Sequence, residues 1–172
     1  TGEGADELFA GYTYHHAYVD DPRALADELT RSLNAMHNIN LQRVDRITMA
    51  QGLEARTPFL DRELIDVAQA IPASLKMRRT DPDARDSTGA TTEKWILRKA
   101  CEDLLPTELV WRRKAQFDEG SGTVAALDAA LADLLGPGVA RTRASEAALY
   151  ERLLRQRFED PDLPLTLAGT WE

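Results

Sequence analysis

Chemistry-bearing residues gather in three stretches of the chain. The first, TGEGADELFAGY at residues 1–12, sets Glu3, Asp6 and Glu7 among glycine and alanine, directly before the apolar pair Leu8-Phe9. Glycines on both sides of Glu3 remove steric cover and permit unusual backbone angles, so its carboxylate can be offered from a loop to a closely approaching ligand. Asp6 and Glu7 fall in the first turn of a helix. There negative charge caps free N–H groups and complements the helix dipole, a structural role that accounts for both on spacing alone. It accounts less well for Glu3, which stays open between structure and chemistry. The second stretch, WRRKAQFDEGSG, puts Arg112, Arg113 and Lys114 before a glycine loop. That is the arrangement of a mobile segment closing on a phosphate, and also that of a solvated basic run. The third, GLEARTPFLD, reads as a surface ion pair of Glu54 with Arg56, worth little energetically. His15, His16 and His37 show no metal-ligand spacing and are expected to be structural.

Helices must position these residues. A helix is expected from about Ala5 to Tyr18, ended before Pro22. Pro22 begins another, with Leu25, Leu29, Leu33 and Met36 at helical spacing. After a bend near HNIN, a further helix runs through Leu41, Val44, Ile47 and Thr48 until Gly52 stops it. Asp61 is read as the N-cap of a helix striped by Leu64, Ile65, Ala68 and Ile71 and closed by Pro72. Residues 78–91 read as an exposed polar loop. A helix capped by Thr92 then spans TTEKWILRKACEDLL, and Pro106 opens a short one. A buried helix is expected from Thr123 to Leu135, a last helix capped by Ser145 runs through about Phe158, and residues 159–172 form an extended tail. The pattern is mainly α, with no internal repeat and no convincing strand ladder.

With 172 residues and 43% hydrophobic composition, the chain can bury a core as a single domain, 1–172. A net charge of −8 argues against broad binding to nucleic acid or anionic membrane, which need a basic face. No stretch has the length and apolarity of a membrane span. The single cysteine, Cys101, reads as a small buried hydrophobe, and one cysteine without a signal peptide fits a reducing cytoplasm.

Taken together, TGEGADELFAGY, RVDRITMAQGLEARTPFLD, IPASLKM, EKWILRKACEDLLP and WRRKAQFDEGSG resemble, in order, the C-terminal ATP-using domain of the glutamine-hydrolysing asparagine synthetase family. The resemblance implies the helical C-terminal portion of an α/β ATP pyrophosphatase-type (adenine nucleotide alpha hydrolase-like) domain. That family activates aspartate with Mg-ATP to a β-aspartyl-adenylate, releasing pyrophosphate, and ammonia then displaces AMP. Glu3 matches the family's essential glutamate, which acts on the adenylate and takes a proton from ammonia. Lys114 matches the lysine that stabilises charge at phosphorus, and Arg43 an arginine near the pyrophosphate. Thr1 and Gly2 match positions whose backbone borders ATP, and Asp6 a carboxylate that helps hold Mg2+ with the pyrophosphate. The family sequence FGGY stands here as FAGY, a small-for-small exchange.

The family's SGGLDSS-like ATP cradle is absent from these residues, as is the N-terminal cysteine of its glutaminase domain. The expectation is therefore a piece of a longer protein, inactive alone, with ammonia supplied by a glutaminase domain it lacks. It should expose an apolar face and either self-associate or pack against an N-terminal synthetase and glutaminase portion. Two rival readings remain. One is a related amide-forming synthetase of the β-lactam or peptide-cyclising type; the other is a non-catalytic helical module that binds a partner.

Overall fold

The computed structural model describes residues 1–80, 90–115 and 121–158. The expected tail at 159–172, the stretch 116–120 and most of the polar loop, 81–89, lie outside the described residues. The architecture is mainly helical. The chain divides into two compact units, one running from Thr1 to Arg113 and one beginning at Lys114.

In the first unit, α1 (Ala5–Phe9) is only five residues long. The helix expected from Ala5 to Tyr18 breaks because Ala10 turns left-handed, φ 58°, and the chain resumes as a 3-10 segment, Thr13–Tyr18. Ala10 has no glycine's freedom, so the break leaves no compositional mark. Helix α2 (Pro22–Ala35) starts as the sequence indicates, with Pro22 in the first turn and the Asp21 carboxylate accepting from the Ala24 amide at 3.0 Å. It buries Leu25 and Leu29. The bend near HNIN is a 3-10 turn at Met36–Asn38, and α3 (Asn40–Met49) follows. The apolar stripe expected on α3 is shallow: Asn40 is its one buried residue, and Ile47 is 63% exposed. Asp61 caps α4 (Arg62–Ala70) through the Glu63 and Leu64 amides.

After α5 (Ala73–Lys76), the chain forms a ladder the sequence does not announce. Strand β1 (Arg78–Arg79) pairs antiparallel with β2 (Thr91–Thr92). Thr92, the expected cap, is therefore a buried strand residue. Helix α6 (Trp95–Ala100) starts instead at Lys94, which adopts φ 54° with no side-chain cap, and Cys101 ends it half-buried. A single turn, α7 (Thr107–Val110), completes this unit.

Two apolar clusters form its core; α1 belongs to one, and the residue after it to the other. Leu8 and Phe9 pack with Ala68, against Leu33, Phe59, Ile65 and Ile96. Ala10, just past the helix end, packs with Leu25, Leu29, Ala73 and Met77. The second unit contains α8 (Thr123–Leu135) and α9 (Arg143–Arg157), each with one buried residue, Leu131 and Leu149. The expected burial of α8 is met only at Leu131, on the side packed against α9; Val124, Leu127 and Leu134 are exposed. Thr142 rather than Ser145 caps α9; Ser145 closes the reciprocal half of a capping box.

Candidate functional site

The site residues cluster around the entry of α1, and their placement follows from local chemistry. Leu8 and Phe9 sink into the core at 2% and 4% exposure, which turns the preceding residues toward the surface as a short hydrogen-bonded turn. The Ala5 amide donates to the Gly2 carbonyl at 3.2 Å, and the Leu8 amide to the Gly4 carbonyl at 2.9 Å. Gly4 is required twice over. Its φ is 93°, and a Cβ there would stand 2.5 Å from Leu60 Cδ2 and 3.3 Å from Phe59 Cβ. Gly2 has open space beside it, with nothing within 4 Å of an added Cβ.

Glu3 emerges from this turn partly covered, with Arg43 Nη2 at 3.5 Å from its Oε1. The Arg43 side chain is 55% exposed, so the pair orients the carboxylate more than it stabilises the fold. Asp6, one turn on, holds Lys94 Nζ at 2.7 Å from its Oδ1, both side chains about a quarter exposed (27% and 22%). The backbone builds that second pair. The Lys94 amide donates to the Phe9 carbonyl at 3.1 Å, and the Gly11 amide to the Asp6 carbonyl at 2.9 Å. A side chain at Gly11 would collide with the Asp6 carboxylate and with Lys94 Cε.

Glu7 points the other way, inside the protein at 1% exposure. Its Oε1 accepts from the Tyr12 hydroxyl and from Asn40 Nδ2 at 2.9 Å, and Asn40 Nδ2 also donates to the Tyr12 oxygen at 3.0 Å. Burial pushes the Glu7 carboxyl above its ordinary range against the opposing pull of the Tyr12 hydrogen bond, and burial beside Glu7 raises the Tyr12 phenol. On the far side of α1, the Glu93 carboxylate is 3% exposed, 3.4 Å from Arg98 Nη2 and 3.7 Å from His16 Nε2. Arg98 also ties the Val110 and Arg112 carbonyls, at 2.7 and 2.9 Å, which anchors the start of the basic stretch.

The structure thus brings Thr1, Gly2, Glu3, Asp6 and Arg43 into one neighbourhood. The Thr1 nitrogen lies 2.6 Å from the Arg56 carbonyl oxygen, which sets GLEART beside the opening residues, while Glu54 and Arg56 form the expected exposed pair at 3.0 Å. Lys114 opens the second unit with a half-buried side chain. Sequence reasoning missed Lys94, Asn40 and Tyr12. Asn40 and Glu7 lie 33 positions apart, so no local spacing marks them as partners.

The donors suit an anionic ligand rather than a protein-built metal cage. Among the described residues no three His, Cys, Asp or Glu side chains group as metal ligands. One partly exposed carboxylate backed by a lysine does suit Mg2+ shared with a polyphosphate, where phosphate and water oxygens complete the coordination. No helix among the described residues is long and apolar enough to cross a membrane.

Comparison with known proteins gives a consistent result. The family model described as asparagine synthase matches residues 18–167, a span that contains Arg43 and Lys114 and begins after Glu3 and Asp6. Asparagine synthetase 2 (glutamine-hydrolysing) of Lotus japonicus is 40% identical over 126 residues, which cover 71% of this chain and 20% of the relative. The glutamine-hydrolysing asparagine synthetase of Asparagus officinalis is also 40% identical, and asparagine synthetase 3 of Arabidopsis thaliana 39%, with the same coverage. The chain spans about a fifth of the length of these relatives.

Proposed function

The chain belongs to the asparagine synthase family, and we propose that it works as the helical C-terminal portion of an ATP-dependent ligase that amidates aspartate to asparagine. Its ATP cradle and parallel sheet then lie in an upstream α/β portion, and its ammonia comes from a glutaminase domain outside these residues. Such an enzyme suits the cytoplasm, where a lone cysteine stays reduced.

The reaction has two stages. The aspartate β-carboxylate attacks the α-phosphorus of ATP, forming a β-aspartyl-adenylate and releasing pyrophosphate. Ammonia then attacks the acyl carbon, and AMP leaves. Glu3 takes a proton from the attacking nitrogen, a task for a carboxylate on an accessible turn backed by a rigid core. Arg43 holds the Glu3 carboxylate in position and adds positive charge on the side where pyrophosphate departs. Lys114 contributes a point charge at phosphorus during adenylation. The backbone at Thr1 and Gly2 borders the nucleotide, and the open space beside Gly2 leaves room for that approach. Asp6 would hold Mg2+ and Lys94 would face the polyphosphate; the ion would supply positive charge against the departing pyrophosphate.

The observation that carries this reading is the paired arrangement at α1. Two carboxylates three positions apart each engage a cation, Glu3 with Arg43 and Asp6 with Lys94, while the residues behind them are buried. The test is Glu3→Gln in the full-length protein that contains this chain. Asparagine formation should drop by roughly 10²–10⁴-fold, the range expected for losing a general base, with the circular dichroism spectrum unchanged. Undiminished synthesis would remove Glu3 from the mechanism. AMP formed with a different carboxylate and not with aspartate would move the substrate to another amide-forming class.

A further inference from the structure

Helix α3 carries Arg43, yet hydrophobic burial does little to hold it. Of its residues, Asn40 alone is buried; Leu41 and Val44 are half-covered, and Ile47 and Met49 are 63% and 51% exposed. A helix with so shallow an apolar stripe needs another anchor if its side chains are to keep a fixed position. The anchor is at its first residue. Asn40 Nδ2 donates to Glu7 Oε1 at 2.9 Å and to the Tyr12 hydroxyl at 3.0 Å, and Tyr12 donates to the same Glu7 oxygen. Glu7 lies on α1, between Leu8 and the turn that presents Glu3. Asn40 and Arg43, three residues apart on one helix, share a face. The closed triangle therefore joins the two elements whose exposed side chains meet at Glu3 and Arg43.

We infer that Glu7, Tyr12 and Asn40 are positioning residues, a buried polar triangle that fixes the start of α3 against α1 and so holds Arg43 beside Glu3. This rests on the proposed role of Glu3 and Arg43. The triangle touches no reacting atom and acts only through Arg43. An apolar contact could bury as much surface, but two hydrogen bonds converging on a carboxylate, closed by a third between their donors, also fix direction. A small rotation of α3 would swing the long Arg43 side chain away from a carboxylate it already meets at the edge of hydrogen-bond range.

A mutant cycle in the full-length protein separates positioning from general stability. Asn40→Ala should lower kcat about tenfold, a typical coupling between contacting groups, and should cost nothing further in an Arg43→Ala background. Tyr12→Phe, which removes one hydroxyl and keeps the ring, should behave likewise if Asn40→Ala does not fold. Glu7→Gln, which keeps an acceptor oxygen for Tyr12 and Asn40, should retain most of the kcat that Glu7→Ala loses. An Asn40→Ala or Tyr12→Phe loss of the same size with and without Arg43, or no loss at all, would overturn the inference. The reading of Glu3 itself fails separately, through full activity of Glu3→Gln.

Discussion

Lys76 is a buried charge with no ion-pair partner among the described residues. The side chain is 5% exposed, no ion pair or hydrogen bond reaches it among the described residues, and burial alone pushes its pKa below the ordinary lysine value. Because the folded pKa is lowered, the unfolded chain binds more protons in the window between the folded value and 10.5. Stability therefore rises with pH through that window, and below it the lysine is a constant cost. Lys76→Met keeps the apolar stem and should stabilise the protein at pH 7 by on the order of 1 kcal/mol, with the difference shrinking as pH approaches 10. Thermal melts of both proteins at the two pH values check this; a gap that widens with pH would mean Lys76 has a favourable charged partner. Ala10 shows a related tension. The exchange of glycine for alanine at FAGY looks neutral in sequence, but the position is left-handed, φ 58°, where a Cβ costs roughly 1–2 kcal/mol. The methyl group is fully buried between Leu25 and Leu29, which offsets part of that strain.

At the scale of elements, side-chain caps are what the sequence makes visible. The Asp61 carboxylate accepts from two amides at 2.9 and 3.3 Å, so Asp61→Ala should cost about 1 kcal/mol and lower Tm by about 2–4 °C, while Asp61→Asn should recover most of it. An unchanged Tm in Asp61→Ala would show that packing alone fixes α4. Helices α2 and α4 were legible because Asp21-Pro22 and Asp61 announce their starts and leucine or isoleucine repeats mark their faces. The left-handed residues Ala10 and Lys94 were not, since each adopts a backbone conformation that its residue type disfavours and tertiary packing enforces. The β1–β2 pairing escaped notice because two-residue strands have no period to detect. In the site, Glu3 stood out through its flanking glycines, whereas Asp6 read as a helix cap and entered the site only through the family resemblance. Asn40 could not, because its partners come from a distant segment and a buried asparagine looks like any polar residue in a helix.

For the whole molecule, the two compact units and the exposed apolar side chains bear on what this chain can do alone. Leu53, Leu104 and Leu109 are 64%, 75% and 54% exposed. If the upstream portion supplies the ATP cradle, the 172 residues alone should release no pyrophosphate from Mg-ATP with aspartate and ammonium, whereas the full-length protein should. Pyrophosphate release by the isolated chain, abolished by Lys114→Ala, would place a complete nucleotide site within it.

The shortness of α1 has one more consequence. A five-residue helix has almost no helicity of its own in water, so its order is on loan from the apolar clusters that it and the residue after it join. Releasing Leu8 opens one cluster and releasing Ala10, two residues on, opens the other, so fraying at this segment costs core contacts. Amide exchange along α1 then follows the opening of the entire first unit. On warming, the geometry around Glu3 should persist up to the melting transition of the first unit and disappear with it.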